Sequence, residues 1–338
     1  MKSRRWANAL VLTCALVTFL PDRLASATEP EVSEVCRFTD ERLTEISGLA
    51  RSLRHPGTLW AINDSSGGPY VYAIDERTCA VQARIELRGA AARDPEAIAT
   101  GVDERGRPTI WVGDIGDNRD SWPTVTLLAL REPKRLADRA VAVRSWAFTY
   151  PDRPHDAETL LADPASARLW IATKQLASGA LVALDSVIAG GDRALEVDRV
   201  GGLVTDGAVA PDGSRYVIRD YFDARIFEGL PPGREVMRIP LPAQPQGEAI
   251  TWTADGDALL IASEGDDRLL RVQLPIAQQA AGSRESATAL PTPPTASATE
   301  AAGSMPLPTP LVIGAGVAVI SFLLLLAEWA RRRGGSAE

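Results

Sequence analysis

The carboxylates with the clearest capacity for chemistry occupy one position of a hexamer that recurs along the chain. The five hexamers are EISGLA (45–50), DPEAIA (94–99), DAETLL (156–161), TDGAVA (205–210) and QGEAIT (246–251). Their third residues are Ser47, Glu96, Glu158, Gly207 and Glu248. If these positions converge, three carboxylates and a hydroxyl share one small volume. Oxygen donors of this kind are the ligands that Ca²⁺ prefers.

Converging carboxylates need a source of positive charge. At about 5 Å and an effective dielectric near 20, each pair repels by about 3 kcal/mol. We expect a Ca²⁺ cofactor held by Ser47, Glu96, Glu158 and Glu248, and an extra acid layer at the first hexamer position favours it modestly. Two alternatives stay open. The glutamates could brace neighbouring strands through backbone N–H groups or pair with Lys174 and Arg219, or they could share protons.

A second set of polar residues follows the apolar segment after each hexamer, at the point where the chain turns. Its members are Asn63, Asp64, Asp114, Asp117, Asn118, Lys174, Arg219, Asp220 and Glu264. One lysine and one arginine interrupt this mostly acidic set, so we predict a ligand-binding cleft formed by Asn63, Asp64, Asp114, Lys174, Arg219 and Glu264. Asp and Asn are also common turn residues, which is the alternative explanation.

The sequence assigns no catalytic residue. It has only two histidines, which excludes a histidine-rich metal cluster. It also lacks a G-x-S-x-G nucleophile elbow, a glycine-rich phosphate loop and an HExxH motif.

Strand-length segments must position these residues. Each hexamer is followed by two further apolar segments rich in β-branched and aromatic residues. In the first four repeats a fourth strand-length segment comes next, at 81–87, 141–148, 195–201 and 235–240. The hexamers start 49, 62, 49 and 41 residues apart, which is typical of propeller blades. We therefore predict an all-β, five-bladed β-propeller. The segment EVCRFTD (34–40) is expected to complete the last blade and close the ring. A sixth blade inside the 62-residue spacing is the alternative.

The two ends of the chain have other roles. Residues 1–27 combine basic residues, an apolar run and Ala25-Ser26-Ala27, which is typical of a cleaved signal peptide. We predict a propeller ectodomain at 28–278, a Pro/Thr/Ala/Ser-rich stalk at 279–309, a transmembrane helix at 310–330 and a cytoplasmic tail at 331–338. These segments predict a single-pass protein of the cell membrane with its propeller outside the cell.

Cysteine usage agrees with export. Cys14 would leave with the signal peptide, and Cys36 and Cys79 remain. Because exported proteins keep disulfides, we expect a Cys36–Cys79 bridge, with two separate thiols as the alternative.

Net charge restricts the partners. Between residues 28 and 281 there are 28 basic and 39 acidic residues, so nucleic acid is not an expected partner. We expect a monomer that contacts the membrane through its single C-terminal helix and binds a small molecule or an envelope component.

Several motifs carry a resemblance to known proteins. The run EISGLARSLRHPGTLWAINDSSG (45–67), with DPEAIA, VGDIGDN (112–118), DAETLL, WIATK (170–174) and QGEAI, resembles a family of secreted bacterial β-propellers that has no assigned activity. More distantly, the chain is similar to calcium-activated nucleotidases (apyrases). That resemblance implies five blades and one axial calcium held by serine and glutamate of successive inner strands. Gly207 departs from it, because a serine is expected there.

Two functions follow as hypotheses. The first is a cell-surface, calcium-containing propeller that binds a ligand or an envelope component. The alternative is a calcium-dependent hydrolase of phosphoesters or nucleoside polyphosphates, in which Lys174 and Arg219 receive phosphate. Carbohydrate binding and a purely structural role are further alternatives, since propeller folds host all of these functions.

Overall fold

A computed structural model describes residues 30–64, 68–90 and 92–275. The signal peptide, the transmembrane helix, the cytoplasmic tail and the stalk predicted from the sequence lie outside the described residues. Within the described ranges, no helix is both long and apolar enough to cross a membrane.

The regular secondary structure of the described chain is almost entirely β-strand, with one short helix, α1 (Asp185–Ile188). The strands are β1 (Val32–Arg37), β2 (Ile46–Arg51), β3 (Thr58–Asn63), β4 (Tyr70–Asp75), β5 (Val81–Arg88), β6 (Pro95–Val102), β7 (Pro108–Asp114), β8 (Val125–Arg131), β9 (Arg139–Ala142), β10 (Arg144–Phe148), β11 (Ala157–Ala162), β12 (Leu169–Thr173), β13 (Gly179–Ala183), β14 (Leu195–Val200), β15 (Val204–Val209), β16 (Arg215–Asp220), β17 (Asp223–Glu228), β18 (Glu235–Pro240), β19 (Gln246–Trp252), β20 (Ala258–Glu264) and β21 (Arg268–Gln273).

These strands form five sheets, and each sheet is one blade of a propeller. Blade 1 contains β2–β5, blade 2 contains β6, β7, β8 and β10, blade 3 contains β11–β14, and blade 4 contains β15–β18. Blade 5 contains β19–β21 and takes β1 as its outer strand. The predicted five-bladed fold and its closing N-terminal strand are therefore confirmed.

The long spacing between the second and third hexamers does not hold a sixth blade. After β8 the chain crosses to blade 1, where β9 pairs in parallel with β5, and it returns as β10 on the outer edge of blade 2. The predicted fourth strand at 141–148 therefore corresponds to two strands in two different blades. The insertion extends blade 1 to five strands and ties it to blade 2.

Apolar clusters between neighbouring blades form the core. Each of the five clusters draws side chains from two adjacent blades, and one of them joins blade 5 to blade 1. Trp60, Trp111 and Trp170 recur on the second strands and are at most 1% exposed. The second strands β3 and β12 are buried at every residue, since both of their faces pack against another blade, whereas the outer strand β18 is half exposed.

Each inner strand carries a β-bulge near its start. In blade 1, Ile46 pairs with Asn63 and Gly48 with Ile62, so Ser47 has no partner of its own. Corresponding register shifts leave Glu96, Glu158 and Glu248 without partners in blades 2, 3 and 5. Because a bulge re-aims a side chain, the same backbone feature directs the third hexamer residue of these blades.

The bulge corrects the sequence alignment in blade 4. There Val204 pairs with Asp220 and Asp206 with Arg219, so the bulged residue is Thr205. The alignment that placed Gly207 at this position is wrong by two residues. Gly207 pairs regularly with Ile218. The residue of blade 4 that corresponds to Ser47 and the three glutamates is therefore Thr205, a hydroxyl residue.

A disulfide and an arginine hydrogen bond join blades 5 and 1 in addition to strand pairing. Cys36 of β1 is bonded to Cys79 in the turn after β4, which confirms the predicted disulfide. The Arg51 guanidinium forms a two-pronged ion pair with Glu76 of the same turn, at 2.7 and 2.9 Å, and its Nε donates to the carbonyl of Trp252 in blade 5. The first and last blades are thus joined at one interface, which we call the seam between blades 5 and 1.

Removing the disulfide is expected to weaken this closure. The bridge spans 43 residues, and loop-closure entropy assigns such a bridge about 4 kcal/mol. A Cys36→Ser/Cys79→Ser variant should therefore melt roughly 10 °C lower in a circular-dichroism scan. Reductant should lower the melting temperature of the wild type toward that of the variant and leave the variant unchanged. An unchanged melting temperature in the variant would contradict the proposed part of the disulfide in ring closure.

Candidate functional site

The bulged residues of the five inner strands form a ring around the propeller axis. We call Ser47, Glu96, Glu158, Thr205 and Glu248 the axial ring; each is at most 6% exposed. Glu96, Glu158 and Glu248 belong to blades 2, 3 and 5, yet the charges of Glu158 and Glu248 both raise the pKa of Glu96. Carboxylates from non-adjacent blades therefore converge on the axis.

The two hydroxyls link the ring to adjacent blades. Ser47 Oγ donates to Glu96 Oε2 at 2.7 Å, and Thr205 Oγ1 donates to the carbonyl of Gly247 at 2.9 Å. The ring thus contains three carboxylates and two hydroxyls, and its oxygens are of the type that bind hard cations. Thr205 thus occupies the blade 4 position that the sequence alignment gave to Gly207.

One ring carboxylate is held by a lysine. Lys174, which directly follows β12, places Nζ 2.5 Å from Glu158 Oε1 and 2.9 Å from the hydroxyl of Tyr221. The second oxygen of Glu158, Oε2, is buried and has no hydrogen-bond partner among the described residues. The pairing of Glu158 with Lys174 agrees with one of the alternatives to calcium, in which basic side chains compensate the glutamates.

A second group of carboxylates adjoins the ring. One carboxylate oxygen each from Asp64, Asp94 and Glu96 lies within 4.8 Å of the other two. Asp64 follows the second strand of blade 1 and Asp94 precedes the first strand of blade 2, so neighbouring blades supply them at the same end of the axis. We call Asp64, Asp94, Glu96, Glu158 and Glu248 together the acidic mouth.

A glycine makes room for the acidic mouth. A Cβ at Gly116 would lie 2.6 Å from both Asp94 Oδ2 and Glu96 Cγ. The backbone at Asp94 is held by Asp114, whose Oδ1 accepts hydrogen bonds from the N–H groups of Arg93 and Asp94 at 2.8 and 2.7 Å. The loop after β7 therefore sets the position of two of the five carboxylates.

Burial and mutual repulsion shift the ionisation of the acidic mouth. Burial raises the pKa of Glu158 to about 7, although Lys174 opposes the shift. Burial and the Glu158 charge raise the pKa of Glu248 to about 8. Burial, with the charges of Asp64 and Asp156, raises the pKa of Asp94 to about 7. Without a cation, the folded protein therefore retains protons at these sites up to near-neutral pH.

Arg219, predicted as a ligand contact, lies inside the protein. It is fully buried, and its guanidinium donates to the carbonyls of Asp220, Ala249 and Ala262 and to Oε1 of Gln244. Gly247 allows this approach, since a Cβ there would lie 2.0 Å from Arg219 Nη2. Its hydrogen-bonding groups are occupied by the protein, so Arg219 braces blades 4 and 5 and presents no guanidinium to the mouth.

The other residues of the predicted cleft divide into two groups. Asp64 and Lys174 lie in or against the acidic mouth, and the Glu264 charge raises the pKa of Glu248, which places Glu264 nearby. Asn63 and Asp114 support the backbone instead. Asn63 Nδ2 donates to the carbonyl of Arg42, and Asp114 holds the segment before β6. Ligand contact by any of these residues stays a prediction.

Three residues of the site are not among the ligands predicted from the sequence. Thr205 is missed because the repeat is aligned two residues too late. Asp94 is noticed as part of an acid layer, but only the fold brings it to Asp64. Tyr221 directly follows Asp220, which the sequence analysis does identify. Its contact with Lys174, which is 47 residues away in the chain, leaves no signal in the sequence.

A cavity of about 190 Å³ lies toward the other end of the inner strands. It is lined mainly by apolar residues, among them Leu49, Ile98, Ala162 and Trp252, and none of the five carboxylates of the acidic mouth lines it. The two ends of the axis therefore differ in chemistry.

Comparisons with known proteins give similarity at the level of solved structures. No family model matches the chain, and no curated protein matches it. A gluconolactonase from Xanthomonas campestris is similar with a TM-score of 0.41 at 14% identity, over 68% of this chain and 72% of that chain. The WD40 repeats of RRP9 are similar with a TM-score of 0.38 at 13% identity, over 68% and 67%. These values assign no activity, and the five-bladed architecture follows from the sheet topology itself.

The raised pKa values predict how stability depends on pH in the presence of a chelator. A carboxyl whose pKa is higher in the folded state stabilises the fold while it is protonated, and that contribution is lost as pH rises through the folded pKa. The melting temperature of the chelator-treated protein should therefore fall between about pH 5 and pH 8.5.

Glu248→Gln tests whether the acidic mouth causes this dependence. The variant removes one titrating carboxyl, so its melting temperature should fall less over the same pH range. Glu41→Gln, a matched change at an exposed residue, should follow the wild type. A wild-type melting temperature that stays constant or rises with pH would contradict the shifts described above.

Proposed function

We propose that this protein is a calcium-binding β-propeller that acts as a ligand- or envelope-binding module on the bacterial cell surface. The observation that carries the proposal is the buried axial ring, in which three carboxylates converge and one buried carboxylate oxygen, Glu158 Oε2, has no partner among the described residues. Buried carboxylates without compensation are costly, and a divalent cation would provide that compensation.

The donor set fits calcium better than a softer metal. The oxygens of Glu96, Glu158 and Glu248 are joined by the hydroxyls of Ser47 and Thr205, with Asp64 and Asp94 adjacent to Glu96. No cysteine or histidine belongs to this set, and oxygen-only donors with adaptable coordination numbers are typical of calcium sites. These residues would hold the ion. The resemblance to apyrases, which have an axial calcium, supports the same assignment.

The ion would supply a positive centre at the acidic mouth. An anionic oxygen of a ligand could then approach a face whose own carboxylates would otherwise repel it. Lys174 and the hydroxyl of Tyr221 are at the same end of the axis, and Glu264 and Asp64 complete the proposed rim. Arg219 is left out of this ligand site because its guanidinium is occupied inside the fold.

Export and anchoring complete the proposal. The Cys36–Cys79 disulfide supports an oxidising compartment, which agrees with a signal peptide at 1–27. The stalk at 279–309 and the transmembrane helix at 310–330 would then tether the propeller outside the cell. We infer a single-pass cell-membrane protein that acts as a monomer.

One observation favours hydrolysis as the second candidate. Asp94 and Asp64 lie beside Glu96, so carboxylates outside the axial ring adjoin the proposed ion and could accept a proton from an attacking water. A metal ion can polarise a phosphoryl oxygen, and such a pair of groups is typical of metal-assisted hydrolysis. The substrates would be phosphoesters or nucleoside polyphosphates.

Calcium binding is tested by thermal unfolding and isothermal titration after chelator treatment. Calcium at a hundredfold excess over its Kd should stabilise the fold by about 2.7 kcal/mol, which raises the melting temperature by roughly 5–10 °C. Glu96→Gln should abolish most of this increase, and Glu41→Gln should retain it. The absence of both binding heat and a thermal shift in the wild type would refute the calcium site.

Phosphate release separates the two functions. The protein is incubated with a panel of nucleotides and phosphoesters, in calcium or in chelator. The binding-module proposal predicts no release, whereas the hydrolase predicts calcium-dependent release that Asp94→Asn lowers at least tenfold. Release that is unchanged by chelator would support neither, and would point to a contaminating enzyme.

A further inference from the structure

Lys174 is a basic side chain in direct contact with the axial ring. Its ammonium contacts Glu158 Oε1 and the hydroxyl of Tyr221, and it lies 5.3 Å from the centre of the Tyr221 ring. Its side chain is 15% exposed and that of Glu158 is 6% exposed. This ion pair is therefore largely shielded from water, where charges act on each other more strongly than at an open surface.

The influence of the ammonium extends beyond its hydrogen-bonded partner. Burial raises the pKa of Asp156, Glu158 and Glu248, and the positive charge of Lys174 opposes that rise in all three. These three carboxylates come from blades 3 and 5, and two of them belong to the proposed calcium site. Lys174 thus supplies, inside the protein, part of the positive charge that a bound cation would otherwise supply.

A resident positive charge has opposite effects on the two states of the site. In the absence of a divalent cation it compensates Glu158, because an ion pair replaces the lost hydration of the carboxylate. When a cation binds, the ammonium repels it and continues to hold Oε1 of Glu158, an oxygen that the cation would otherwise use. The geometry also leaves the other oxygen, Glu158 Oε2, without a hydrogen-bond partner among the described residues.

We propose that Lys174 is an affinity-determining residue that competes with the divalent cation for Glu158, so that it stabilises the cation-free protein and weakens calcium binding. This inference rests on the proposed calcium site. It differs from the sequence-based interpretation in which Lys174 serves a ligand: the ammonium acts on the cation through a shared carboxylate.

The central test measures calcium affinity and cation-free stability in the same variants. Lys174→Met keeps the length of the side chain and removes its charge. We expect it to bind calcium on the order of tenfold more tightly than the wild type, while its melting temperature in chelator at pH 8 falls by roughly 5 °C. The two effects have opposite signs, which a general loss of structure would not produce.

Two control variants separate charge from structure. Lys174→Arg retains the positive charge, so its calcium affinity should stay within about threefold of that of the wild type. Lys134→Met makes the same substitution at an exposed lysine in the connection before β9, and it should leave both measurements unchanged. Affinity is measured by competition between calcium-loaded protein and a fluorescent chelator, so that the variants need not be isolated without the ion. Lys174→Gln should behave like Lys174→Met and replaces it if that variant does not fold.

The outcomes distinguish this inference from the proposed function. Tighter binding by Lys174→Met, with both controls near the wild type, supports the competition. Equal or weaker binding by Lys174→Met overturns it while the calcium site stands, since weaker binding would mean that the ammonium positions Glu158 for the ion. If the wild type itself binds no calcium, the proposed function fails and the competition fails with it.

Discussion

The repulsion between carboxylates that converge on the axis is the constraint on which the rest of the site depends. Five inner strands bulge at the same step, and three of the bulged residues are glutamates whose side chains cannot avoid one another. The fold responds with several partial solutions at once: a hydroxyl donates to one carboxylate, an ammonium pairs with another, and an amide, Gln246 Nε2, donates to the third. These contacts compensate only part of the charge of the ionised carboxylates, and a divalent cation would complete the compensation.

The packing around the axis explains how the fold can tolerate this site. Each blade contributes side chains to two apolar clusters, so no blade has a core of its own and the ring is stable only as a whole. The seam between blades 5 and 1 would be the weakest interface of an open chain. It is also where the closing strand, the disulfide and the Arg51–Glu76 ion pair are concentrated. Apolar burial of this extent offsets the cost of the polar centre.

The sequence predicted the architecture better than the details of the site. Repeat spacing and strand patterns were sufficient for five blades, the closing strand and the disulfide, because each leaves a local signal in the residues. The position of Thr205 was not predictable in the same way. A shift of two residues preserves the alternation of buried and exposed positions, so TDGAVA fits an inner strand as well as LVTDGA (203–208) does, and only the bulge distinguishes them. The pairing of β9 with blade 1 and the approach of Asp64 to Asp94 depend on contacts between blades, for which hydrophobic periodicity carries no information.

The closing strand also determines how the domain would respond to a mechanical load. Val32 lies opposite Val272, so the two ends of the propeller leave the same corner of blade 5 as neighbours in an antiparallel pair. Pulling them apart would peel β1 from β21 one residue pair at a time, the direction in which a sheet resists force least. Peeling would stop at Cys36, because beyond that residue the strand is covalently attached to blade 1 through Cys79. The disulfide therefore limits the separation of the two strands. Tension on the two ends would break the pairing of three residues of β1 at the edge of blade 5, while the five inner strands around the axis stayed in place.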